Sequence, residues 1–211
     1  MSESPSFEAF HPERHFQPLL IVISGPSGVG KDAVIKEMAE RKQPFYFVVT
    51  ATTRPKRAGE VDGSDYFFVS DDDFQKMIAC DELIEYALVY QQYKGIPKSQ
   101  VRKAMQSGKD VVMRLDVQGA ARVRALYQDA VMIFLIPDND QEWFDRLKNR
   151  KTETPESLKL RLETAKREMN HMPEFDYVVV NAHDRLKQAV DTIIAIVKAE
   201  HHRVNKRKVQ L

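Results

Sequence analysis

Apolar residues in this chain fall in short unbroken runs rather than in alternation with polar ones. Residues 19–24, 110–115, 131–136 and 177–180 are such runs, rich in Val, Ile and Leu. Runs of this kind suit strands covered on both faces, as in a parallel sheet. Helical patterns lie between or after them, at 33–41, 98–107, 120–127, 142–148, 155–170 and 185–199. The alternation predicts an α/β fold, with a parallel sheet core and helices on both faces. Ligands in such sheets bind beyond the carboxyl ends of the strands.

Two segments depart from the pattern. From residue 45 to about 93 the apolar positions form short β-like runs, 45–50, 66–69 and 86–90, around a turn containing Gly, Asp and Pro. This reads as an inserted small subdomain. Residues 146–161 are charged and contain Arg150-Lys151-Thr152-Glu153-Thr154-Pro155-Glu156. Thr154 suits a helix cap and Pro155 the first helical turn. A long basic excursion of this kind predicts a helical lid. The expected division is a leader over 1–18, a core over 19–49 and 108–211 with its lid at approximately 142–165, and an inserted subdomain over 50–107.

Composition narrows the class. The 211 residues, 43% hydrophobic and 30% charged, suffice for one α/β domain with insertions. A net charge of +1 provides no global field toward nucleic acid or membranes. The single cysteine, Cys80, rules out an internal disulfide and suits a reducing, cytoplasmic setting. Cys80 itself is expected to be a buried small apolar residue. The histidines show no metal-ligand spacing. The polar start carries Glu3, Glu8 and Glu13, which fits a loose leader better than a secretory or transit signal. The basic run near the C-terminus reads as a solvated helix end.

The first run leads into Gly25-Pro26-Ser27-Gly28-Val29-Gly30-Lys31-Asp32. This matches the phosphate-binding loop G-x-x-x-x-G-K-[ST] at every position but the last. Successive backbone N–H groups and a helix N-terminus converge on one point, where an anion can sit. Lys31 adds a cation for the β- and γ-phosphates. A hydroxyl normally holds Mg²⁺ at the last position; here Asp32 is the candidate metal ligand. Strand, loop and helix occur in the required order, which favours a nucleoside triphosphate site over a ligand-free glycine turn.

The inserted segment carries Thr50-Ala51-Thr52-Thr53-Arg54-Pro55-Lys56-Arg57 and, beyond it, Glu60, Asp62, Gly63, Asp65 and Tyr66. Two arginines with hydroxyls and a tyrosine can receive a phosphate monoester. On spacing alone a solvated basic turn is equally open. Together with Ile84-Glu85-Tyr86, Asp116-Val117-Gln118-Gly119 and Arg150-Lys151-Thr152-Glu153-Thr154, these motifs resemble the guanylate kinase family over about residues 19–200. The chain looks closest to the plant-organelle and cyanobacterial branch, which shares Gly-Val-Gly-Lys-Asp and Tyr-Lys-Gly-Ile-Pro-Lys.

The resemblance implies ATP-dependent phosphorylation of GMP, and of dGMP, with Mg²⁺ accompanying ATP and no nucleic-acid or membrane partner. It implies that Thr50, Arg54, Arg57 and Tyr66 hold the GMP phosphate and that Glu85 reads guanine, with Lys94 and Asp116 beside it. Gly25 to Asp32 and Asn181 would bind ATP. Lys31, Arg54, Arg150 and Arg161 would serve the transferring phosphoryl, with Arg146 a further lid arginine. Three positions depart from the family pattern: Asp32, the segment Tyr93-Lys94-Gly95-Ile96, and Arg114, where many members have an acid. Strand alternation puts Arg114 and Asp116 on one face near the active end. Asp32 could then pair with Arg114 or hold Mg²⁺. Two other classes stay open: a non-catalytic guanylate-kinase-like binding module, and a phosphate-loop kinase with a different acceptor. Intact Gly25, Gly30 and Lys31 argue against the first, and Glu85 with the arginine segment argues against the second.

Overall fold

A computed structural model describes residues 17–89, 91–148 and 155–208. The leader up to residue 16 and Arg150 lie outside the described residues, as does the side chain of Arg161. The described strands are β1 (Leu20–Ser24), β2 (Phe45–Phe47), β3 (Ala51–Thr52), β4 (Phe67–Phe68), β5 (Leu83–Val89), β6 (Gln92–Pro97), β7 (Asp110–Arg114), β8 (Val131–Ile136) and β9 (Tyr177–Val180). The helices are α1 (Lys31–Glu40), α2 (Asp71–Ala79), α3 (Lys98–Gln106), α4 (Val117–Leu126), α5 (Asp140–Lys148), α6 (Pro155–Met169) and α7 (Leu186–His201).

The main sheet runs β2-β7-β1-β8-β9, with parallel pairing throughout. Alternation along β1 explains the two-sided core. Ile21 and Ile23 face Val34 and Met38 of α1 and Val190, Ile193 and Val197 of α7. Leu20 and Val22 face Val101 and Ala104 of α3 and Ala120 and Val123 of α4. Burial on both faces is why β1, β7 and β8 read as unbroken apolar runs. The second sheet, β4-β3-β6-β5, pairs β6 antiparallel with both β3 and β5.

The run at 45–50 is shorter than expected and serves the core, since β2 pairs with β7. Cys80 corrects the sequence reading: it is exposed, at the C-terminal end of α2, where the helix turns out toward solvent. Ile96 is fully buried in the core beside Leu20 and Val22, so its departure from the family pattern is absorbed by packing.

Candidate active site

The active end is built where β1 stops. Gly25 follows Ser24 at φ +141°, and a Cβ there would lie 2.4 Å from the Leu135 carbonyl oxygen. Only glycine fits both the dihedral and the space. Gly25→Ala is therefore expected to lower stability by roughly 1–3 kcal/mol and to lose nucleotide binding; a thermal melt with an ATP titration checks both. Gly30 precedes α1 at φ +95° and offers no side-chain cap. The first amides of α1 are left to point into the loop. Lys31 Nζ lies 2.5 Å from the Gly25 oxygen and 3.2 Å from that of Pro26, folded across the loop. Burial pushes its ammonium down to about 8, against the opposing pull of Glu168.

A collar of side chains fixes the loop. Trp143 Nε1 donates to the Ser27 oxygen at 2.8 Å, and Asn181 Nδ2 to the Val29 oxygen at 2.7 Å. The Ser27 N–H donates to Glu168 Oε2 at 2.7 Å. Arg146, expected at the transferring phosphoryl, instead donates to the Val29 oxygen at 3.3 Å and pairs with Glu142 one helical turn away. Trp143 and Glu168 were not legible as loop braces in the sequence. The one available signal was their place on the helices flanking the charged segment.

Across the cleft, Arg54 is held in a two-point fork by Glu60, at 2.7 and 2.5 Å. That fork holds the Glu60 carboxyl down to about 2. The Arg57 N–H also donates to Glu60, at 2.8 Å, while Arg57 itself is exposed. Glu60 thus shapes the arginine turn, a role that its place in the segment did not reveal. Thr50 is buried beneath the turn, its carbonyl accepting the Phe67 N–H at 2.9 Å. Tyr66 lies under both Arg54 and Arg114, with guanidinium carbons 4.7 and 4.3 Å from its ring centre. Lys94 stands on β6 between the two halves, attracted by Asp116 and Asp32 and repelled by Arg114 and Arg54, and burial pushes its ammonium down.

Glu85 occupies the floor. It is 5% exposed, and its Oε2 has no hydrogen-bond partner among the described residues. A Cβ on Gly119 of α4 would sit 2.9 Å from that oxygen, so the glycine admits the carboxylate against the helix. Asp116 caps α4 through the Gly119 N–H at 2.9 Å. Burial, and then the Asp116 charge, push the Glu85 carboxyl up to about 8. Arg122, 4.0 Å away, is too distant to satisfy it. A buried carboxylate oxygen without a hydrogen bond favours a ligand that brings an N–H donor to it.

The family model described as guanylate kinase matches residues 17–200. The chain belongs to the guanylate kinase family. A rice relative, guanylate kinase 2, chloroplastic/mitochondrial, is 50% identical over 92% of this chain and 69% of its own length. The guanylate kinase of Caldanaerobacter subterraneus subsp. tengcongensis is 43% identical over 91% of this chain and 92% of its own. The crystal structure of guanylate kinase from Anaplasma phagocytophilum superposes with a TM-score of 0.72 at 28% identity, covering 89% of this chain and 88% of that one. As a guanylate kinase the chain is an enzyme, and the intact phosphate loop agrees with a catalytic member rather than a binding-only module. No helix among the described residues is long and apolar enough to cross a membrane.

For the guanylate kinase site, the geometry sorts the sequence candidates. Lys31, Asp32, Arg54, Tyr66, Glu85, Lys94 and Asp116 converge on one cleft. Arg57 contributes its backbone, and Asn181 braces the loop. Asp32 meets Arg114, with Nη1 2.8 Å from Oδ1. Among the described residues no cluster of three or more acids, histidines or cysteines could hold a metal.

Proposed function

We propose that this chain transfers the γ-phosphoryl of ATP to GMP, forming ADP and GDP, and that dGMP is a second acceptor with the same base and phosphate. The observation that carries the acceptor reading is the orphaned Glu85 carboxylate. Guanine presents N1–H and N2–H₂ side by side, and one carboxylate can accept both. Adenine lacks that pair and would leave the buried group unsatisfied.

The attacking atom is a phosphate oxygen, which needs no strong general base. The protein's work is positioning and charge neutralisation. The loop amides and Lys31 hold the donor phosphates. Arg54, preset by Glu60, and Tyr66 receive the acceptor phosphate, with Arg57 and Thr50 on the same turn. Lys94 supplies positive charge between the halves, and Arg150 and Arg161 supply it from the lid. When bound with ATP, Mg²⁺ would supply neutralisation of phosphate charge, and Asp32 is the residue that would hold it. Asn181 and the loop seat the ATP. The exposed, lone Cys80 fits a reducing, cytoplasmic setting.

A coupled assay of ATP with GMP, dGMP, AMP, UMP and CMP tests this. GMP and dGMP should turn over with kcat/KM at least about a thousandfold above the other three. No turnover with any acceptor would restore the binding-module reading. Best turnover with a different base would remove the guanine assignment.

A further inference from the structure

Arg114 joins parts of the chain that sequence keeps far apart. It ends β7 in the core, and its side chain is only 12% exposed. Nη1 donates to Asp32 Oδ1 at 2.8 Å, in the first turn of α1. Nη2 donates to the Asp65 carbonyl at 2.9 Å, in the arginine turn of the acceptor half. The guanidinium carbon lies 4.3 Å from the Tyr66 ring centre. The flat guanidinium is thereby held at both outer nitrogens and on one face, which determines its position and its plane.

The contacts form one continuous path. Asp32 sits beside the donor loop and anchors Arg114. Arg114 sets Tyr66, and Tyr66 shares its ring with Arg54, which Glu60 clamps. We propose that Arg114 is a positioning residue that links the ATP half to the GMP half, with Asp32 as its anchor. This rests on the guanylate kinase reading above, and extends it. The acid on the donor side then serves the acceptor side too, whatever it does for the metal.

Charge alone predicts the opposite sign from positioning. Removing the Asp32 carboxylate makes the cleft more positive, so a purely Coulombic effect would tighten binding of the GMP dianion. Loss of the anchor would release Nη1, let the guanidinium turn, and loosen Tyr66 and the Asp65 loop. That weakens GMP binding.

The test is GMP binding by calorimetry with neither ATP nor Mg²⁺ present, so that any metal role of Asp32 is silent. The proteins are wild type, Asp32→Asn, Arg114→Met and the double variant, with thermal melts confirming that each is folded. Asp32→Asn should weaken GMP binding roughly three- to tenfold. Arg114→Met should weaken it at least as much, and the double variant should be no worse than Arg114→Met alone. Unchanged or tighter GMP binding by a folded Asp32→Asn protein, or losses that add in the double variant, would overturn the link. If wild type itself binds no GMP, the acceptor assignment fails first and the link falls with it.

Discussion

Lys31→Met is expected to slow phosphoryl transfer roughly a hundred- to a thousandfold while changing GMP affinity by less than about threefold. The Lys31 ammonium lies inside the loop, donating to the Gly25 and Pro26 carbonyls. Its charge belongs where the donor phosphates sit, and where charge builds in the transition state. Met fills the same volume without the charge, so the loop should keep its shape. Single-turnover rates and GMP titrations separate the two quantities. Equal losses in rate and GMP affinity would contradict the assigned role. A pH signature accompanies this. In the empty enzyme the ammonium titrates at about 8. ATP favours the protonated form, so ATP affinity should be full below that value and fall as pH rises through it. The fall should be absent in Lys31→Met.

Glu85→Gln should cost roughly two to three orders of magnitude in kcat/KM for GMP and much less for AMP. The amide keeps one acceptor but turns a donor toward guanine's donors. The same substitution should stabilise the empty enzyme. The folded-state carboxyl titrates at about 8, against an ordinary value of 4.5. Between those values the folded protein binds more protons than the unfolded chain, so stability falls as pH rises through this window. Glutamine removes that penalty, so the gain in melting temperature should be largest above pH 8 and vanish near pH 4.5. A pH-independent gain, or equal losses for GMP and AMP, would remove Glu85 from base reading. GMP binding needs the ionised carboxylate, so its affinity should rise with pH up to about 8. ATP affinity falls above the same value, and turnover at low substrate should peak between the two limbs.

The legibility of the chain follows its physics. Strands β1, β7 and β8 stood out because burial on both faces leaves an unbroken apolar signature, whereas β9, an edge strand with Val178 and Val180 exposed, stood out only by its run of valines. Strand β6 did not, because Gln92-Tyr93-Lys94-Gly95-Ile96-Pro97 holds Gly, Pro and polar residues and is a strand only through its partners β3 and β5. Helix α2, capped by Ser70 through the Asp73 N–H, went unread, and with it the exposure of Cys80. Ile96, a departure from the family pattern in sequence, is a core residue.

What sequence alone determined is the phosphate loop and the chemistry it serves. Eight consecutive residues carry that geometry locally, through glycine dihedrals and one helix end. The rest of the site depends on separations that no window spans. Arg114 meets Asp32 across 82 positions, Asn181 meets Val29 across 152, and Glu168 meets Ser27 across 141. A side chain's partner at such distances is set by sheet order and helix packing, not by its neighbours along the chain. The buried Glu85 oxygen without a hydrogen bond likewise exists only because α4 lies over β5, with a glycine at the point of contact. The motif named the ligand class; the packing decided which charges face it.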